Sequence, residues 1–118
     1  MIIREAQMKA LSDHVFKGFV ERMAARLRRR CRPETASLAD EQLDRLIRTG
    51  VEKANQFGIR DEANLETFLE YTVRHGLDFY DTPAFSGARR VLEDPGMSET
   101  EKVNRLNEYV IFGGRSQQ

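Results

Sequence analysis

Leu43-Asp44-Arg45-Leu46-Ile47-Arg48-Thr49-Gly50-Val51-Glu52-Lys53-Ala54-Asn55-Gln56-Phe57-Gly58-Ile59 is the stretch whose reading decides the fold. Leu43, Leu46, Ile47, Gly50, Val51 and Ala54 recur every three or four residues, the period of an amphipathic helix with one apolar stripe. Gly50 and Ala54 lie on that stripe and leave room for a second helix to approach closely. Phe57-Gly58-Ile59 is a stop signal. A left-handed Gly just past the last turn, followed by an apolar residue that folds back on it, is the sequence form of a Schellman cap. At the other end, Ser37 with Asp40 and Glu41 reads as an N-cap followed by acidic first-turn residues facing the positive end of the helix dipole.

Outward from this segment the same grammar repeats. Upstream, about Arg4 to Cys31, Met8, Leu11, Val15, Phe19, Met23 and Leu27 form a second apolar stripe, widened by Phe16, Val20 and Ala24. This predicts a long N-terminal helix, which Pro33 brings to an end. Its broad stripe fits a core face or a dimer seam equally. Downstream, Asp61 opens a third helix to His75, with Leu65, Phe68, Leu69, Thr72 and Val73 inward, and His75-Gly76-Leu77 repeats the Gly-cap signal. Thr82-Pro83 predicts a short fourth helix to about Leu92, since proline at the first helical position forfeits no hydrogen bond. Asp94-Pro95-Gly96 is a turn, and Ser98 to Glu101 is a capping box opening a last helix, with Val103, Leu106 and Val110 inward. Gly113-Gly114 ends it, and residues 115–118 are expected to fray. The expectation is an all-α, compact bundle of about five helices spanning 1–118 as one domain, with short connections that favour antiparallel neighbours.

Composition narrows the function classes. Nineteen basic residues balance nineteen acidic ones, so no net field recruits DNA or an anionic membrane. One cysteine excludes an internal disulfide. No stretch approaches the roughly 18 apolar residues of a membrane span, and Met1-Ile2-Ile3-Arg4-Glu5 lacks the apolar run of a signal peptide. A cytoplasmic protein with no membrane partner is the expectation.

Catalytic and metal constellations are weak. His14, His75 and Cys31 are the only soft ligands, and none stands at a metal-binding spacing, so no metal or other cofactor is expected. Cys31 follows Arg28, Arg29 and Arg30, whose charge would favour a thiolate, but no base accompanies it. Ser86-Gly87 lacks the strand and flanking glycine of a nucleophile elbow. Asp78 and Asp81 flank Phe79 and Tyr80, and carboxylates beside apolar groups can act as acid and base, although aspartates in such loops more commonly cap or turn the chain. The reading is therefore non-enzymatic.

Two features depart from a bland helical domain. Arg22, Arg26, Arg28, Arg29, Arg30 and Arg32 crowd the end of the first helix, where cations suit the dipole and could also meet phosphates or an acidic protein. With zero net charge, no interleaved aromatics and no obvious helix-turn-helix pair, a solvated, dipole-matched end or a contact with an acidic partner is preferred over nucleic acid. Phe79, Tyr80 and Phe85 cluster beside Pro83, either closing the bundle or anchoring an interface. Arg28, Arg29 and Arg30 as polar contacts and Phe79, Tyr80 and Phe85 as anchors form the candidate partner-binding set.

The run from Leu46 to Ile59, with Gly76, Asp78-Phe79, Pro83-Ala84, Leu106 and Tyr109, and the opening Ile3 to Leu11, resembles a proteobacterial family of small helical proteins encoded beside type VI secretion effector and PAAR genes. Many members carry a Trp after this proline; here Phe85 comes two after Pro83 and the chain has no Trp. The resemblance implies an accessory role: an adaptor or co-chaperone binding a secreted effector, its chaperone or a PAAR protein. An immunity protein neutralising a cognate toxin is the sibling possibility, and a small nucleic-acid-binding helical protein is the alternative from another class. Self-association is compatible with all three.

Overall fold

The structure is a computed structural model and describes residues 13–109. Met8, Leu11, Val110, the proposed helix start at Arg4 and the expected fraying of 115–118 lie outside the described residues. Within them the protein is all-α, with no strand.

The first helix, α1 (Asp13–Arg30), buries Phe19, Val20, Met23 and Leu27 along the stripe expected for it. It ends before Pro33 because the proline ring in a continuing helix would strike the carbonyl four residues earlier. The chain breaks at Cys31 (φ −122°, ψ 52°) and restarts as a one-turn helix, α2 (Arg32–Thr35), in whose first turn the proline is tolerated. Thr35 returns both its N–H and its hydroxyl to the Cys31 carbonyl, at 2.9 and 2.8 Å.

The start expected at Ser37 is displaced. Residues Thr35 to Leu38 form a turn, and α3 (Asp40–Gln56) is entered through Ala39. The Gln42 side chain accepts the Ala39 N–H at 2.8 Å, supplying the reciprocal half of a capping box where no capping hydroxyl exists. Leu43, Ile47, Gly50, Val51 and Ala54 are buried as their spacing predicts. At the far end Gly58 (φ +81°) takes the left-handed position. Ile59 N–H reaches the Ala54 carbonyl and Gly58 N–H that of Asn55, each at 3.0 Å, which completes the Schellman cap.

Asp61 caps α4 (Glu62–His75) by accepting the Ala63 N–H. Its stop differs from that of α3. Gly76 has φ 105° and ψ 165°, outside the left-handed helical well, so the chain leaves extended and Leu77 does not fold back. That exit returns Phe79 to the bundle, where it is fully buried.

The single helix expected from Thr82 is two pieces. Phe79–Asp81 and Pro83–Phe85 are 3₁₀ turns, and α5 (Ala88–Leu92) begins only after Gly87 at φ +91°. The cause is Phe85: turning its ring inward breaks the helical path, and a left-handed residue is needed to resume it. The capping box of Ser98 and Glu101 then opens α6 (Glu99–Glu108) as read, burying Val103 and Leu106, and also Lys102.

Helices α3 and α4 pack together at the centre and α1 lies across both. A Cβ built on Gly50 would stand 2.5 Å from Leu69 Cδ2, so α3 and α4 are nearer there than any other residue allows. Arg28 reaches Asp40 and Arg48 lies over Phe16, so α1 and α3 run antiparallel. The contacts of Asn64 with Thr100 and of Tyr71 with Asn107 make α4 and α6 parallel.

Candidate functional site

The basic run at the end of α1 divides by face. Arg22, Arg26 and Arg30, four residues apart, meet Glu62, Glu66 and Glu70, also four apart, on α4. Arg22 bonds Glu62 at 3.2 Å, Arg26 bonds Glu62 and Glu66 at 3.1 Å each, and Arg30 bonds Glu70 at 3.0 Å. Pairs keep a nearly constant sequence offset, so α1 and α4 run parallel. The glutamate side chains are only 11–19% exposed, and the arginines lie over them as a lid. Arg74 adds a bond to the Arg30 carbonyl at 3.2 Å. Arg30, expected as a partner contact, is thus an internal tie.

Arg28 is a second internal tie. Its guanidinium donates to the Thr35 carbonyl and the Leu38 carbonyl at 3.0 Å each and to Asp40 at 2.8 Å. It thereby staples the α2–α3 turn to α1. Arg29 is exposed as read, and so is its neighbour Arg32, which had not been placed in the contact set. Neither side chain makes a hydrogen bond or ion pair among the described residues.

The aromatic anchors are corrected outright. Phe79, Tyr80 and Phe85 are 0%, 4% and 2% exposed, so their rings are closed to any partner. They close the bundle instead. Phe79 sits between Phe68 and Phe85, with ring centroids 5.2 Å from each, and Tyr80 meets Phe57 edge-on at 5.1 Å. Burial was half of the sequence reading of this cluster, and the chain exit at Gly76 decides for it.

Asp78 and Asp81 do not form an acid–base pair. Asp78 takes Lys53 at 3.1 Å, and Asp81 receives a two-pronged bond from Arg89 at 2.7 and 2.8 Å that holds its carboxyl below the usual range. Cys31 is fully buried; burial pushes its thiol up, with Arg74 opposing. Both features make it a packing residue rather than a nucleophile. Among the described residues no group of three or more His, Cys, Asp or Glu is placed to hold a metal ion. No helix among them is long and apolar enough to cross a membrane.

A cleft of about 550 Å³ opens where the α3 cap, the aromatic connector and α6 meet. Phe57, Gly58 and Tyr80 floor it, and Lys53, Arg60, Arg89 and Lys102 surround it. Lys102 is only 7% exposed and donates to the Phe57 carbonyl at 2.8 Å, so it helps to cap α3. Burial pulls its ammonium below the ordinary lysine range, Asp94 opposes that shift and Arg60 adds to it. No sequence pattern singled out this lysine, which lies beside Val103 on a helix with charged neighbours.

Fold and sites together define an all-α helical bundle with an arginine-bearing end and a cationic cleft. No protein family, no curated protein and no solved structure matches the chain.

Proposed function

We propose that the protein is a non-catalytic accessory in the cytoplasm that binds another protein, as an adaptor or co-chaperone for a type VI secretion effector. The family resemblance supplies the secretion context, and the arginine end of α1 supplies the means. Arg28 spends its own donors on three acceptors and thereby fixes the turn beside it, so Arg29 and Arg32 stand on a rigid platform. That pair of exposed guanidiniums, without a hydrogen bond or ion pair among the described residues, is the observation that carries the reading. With the backbone beneath them fixed, only the two side chains are ordered on binding, and guanidiniums match carboxylates two bonds at a time. Such a rim sets register and speeds encounter with an acidic surface.

The test is co-purification of the tagged protein with the type VI effectors, their chaperones and PAAR proteins of its own bacterium, at moderate salt. Stoichiometric recovery of one of them, lost in the Arg29→Glu, Arg32→Glu double variant, is the expected result. Recovery that survives both substitutions overturns the arginine platform. Failure to retain any of these proteins overturns the secretion role. Growth rescue on co-expression with a toxin would make the protein an inhibitor rather than an adaptor.

A further inference from the structure

Among the described residues a cation is either paired with a carboxylate or exposed to water, with two exceptions. Arg22, Arg26, Arg28, Arg30, Arg48, Lys53, Arg74 and Arg89 each meet a carboxylate within 4 Å. Arg60, half-buried, and Lys102, buried, have no such carboxylate among the described residues. Lys102 has three N–H donors and uses one, on the Phe57 carbonyl. The Arg60 side chain makes no hydrogen bond among the described residues, and its Nε is buried without an acceptor. Leaving two like charges together and underbonded is costly unless something else answers them.

Their heads flank one point. An atom at the position of a Gly58 Cβ would stand 3.6 Å from Arg60 Nη1 and 3.9 Å from Lys102 Nζ. Gly58 is favoured there by its positive φ, and having no side chain it lets a ligand approach the backbone between the two heads. The acids within electrostatic reach, Glu99 and Asp94, act on the two cations through space and bond to neither side chain. Glu99 accepts the N–H groups of Arg60 and Asp61 and the Asn64 amide, and Asp94 accepts the Gly96 N–H. Lys53 and Arg89 at the rim are neutralised by Asp78, Asp81 and Glu93.

We infer that the cleft over Gly58 binds a small molecule through a phosphate-class oxyanion, held between the Arg60 guanidinium and the Lys102 ammonium. An oxyanion there gains charge-assisted bonds from donors that are fixed and partly dehydrated. The volume of about 550 Å³ admits a group larger than phosphate alone, stacked beside Phe57 and Tyr80. This site is independent of the arginine end of α1 and of any protein partner there.

The experiment titrates the full chain with inorganic phosphate and with pyrophosphate at constant ionic strength, following backbone amides by NMR and heat by calorimetry. The expected result is saturable one-to-one binding that shifts the Gly58 and Ile59 amides, with pyrophosphate the tighter probe. Arg60→Gln should weaken it about tenfold or more, the loss of a charged bond, while the distant Arg45→Gln leaves it unchanged. Lys102→Gln should do the same; because Lys102 also caps α3, Arg60→Gln alone decides if that variant does not fold. Absence of saturation at roughly 10 mM of either anion, far weaker than a built site gives, overturns the proposal. So does affinity unchanged in Arg60→Gln, or shifts spread over the arginine end instead of Gly58.

Discussion

Gly18→Ala and Gly50→Ala are the same chemical change in the middle of two helices, and they should move stability in opposite directions. Replacing a helix-interior glycine by alanine is intrinsically worth about 1 kcal/mol, because the unfolded chain loses freedom it no longer has to surrender. At Gly18 the new methyl meets, among the described residues, the Arg22 side chain alone, at 3.7 Å, an ordinary contact, so the full gain should appear. At Gly50 the methyl lands 2.5 Å from Leu69 Cδ2, with Thr72 Cγ2 at 3.8 Å on the same side. Leu69 is fully buried, so its side chain must shift within the core to admit the methyl. Overpacking of this kind costs about 1–3 kcal/mol, which offsets or exceeds the propensity gain. The two variants should therefore differ by about 1–3 kcal/mol, whatever the propensity scale. Urea denaturation followed by circular dichroism measures both, and thermal midpoints should separate by about 4–8 °C per kcal/mol for a chain of this size class. In a Leu69→Ala background, which clears the space, Gly50→Ala should turn stabilising. Equal stabilisation by both alanines in the native background would refute the close approach of α3 and α4.

Two further outcomes follow from the charged network. Truncating Arg26 and Glu66 singly and together should give a coupling energy of about 0.5–1 kcal/mol, the range for a partly screened pair, and it should shrink in molar salt; zero coupling at low salt would remove the ladder from the list of stabilising features. Glu99 is pushed up by burial but is held below the ordinary carboxylate range by the Asp61 N–H, the Asn64 amide, the Arg60 N–H and the Arg60 charge, which together outweigh burial. Its folded pKa is therefore the lower one, so its stabilisation is complete above the unfolded value near 4.3 and disappears as pH falls through the folded value. Glu99→Gln should accordingly cost about 1–3 kcal/mol at pH 7 and progressively less below about pH 4, measured by denaturation across that range; a cost independent of pH would contradict the assignment.

Much of this fold was legible because apolar spacing and capping chemistry are local. The stripe from Leu43 to Ala54 is buried except at Leu46, which is half-buried, and Gly58 and Ser98 stop and start helices as their neighbours predict. Two of the misreadings share one cause. Gly76 and Thr82-Pro83 carry sound local signals, but Phe79 and Phe85 gain more from entering the core than the chain loses by leaving helical geometry. Ser37 yields to Ala39 because Arg28 holds the Leu38 carbonyl in the preceding turn. The candidate site was less legible still. Spacings of four among Arg22, Arg26 and Arg30 and among Glu62, Glu66 and Glu70 are visible in the chain, yet only the packing of α1 on α4 shows that they answer each other. Arg60 and Lys102 lie 42 positions apart and come together through the turn at Gly58.

The ladder between α1 and α4 has a property that follows from its regularity. Each helix presents one sign of charge at every turn, so sliding α1 by one turn, about 5.4 Å, would still set arginine against glutamate in two of three rungs. Reversing α1 would also leave opposite charges facing. The ladder therefore chooses which helix α1 lies against, but it is degenerate in register and nearly so in direction. Phe19, Met23 and Leu27, each filling its own place in the core, break that degeneracy. Large-to-small changes at these three residues act on alignment as well as on stability, since they remove the teeth that keep a slidable charge contact in one position.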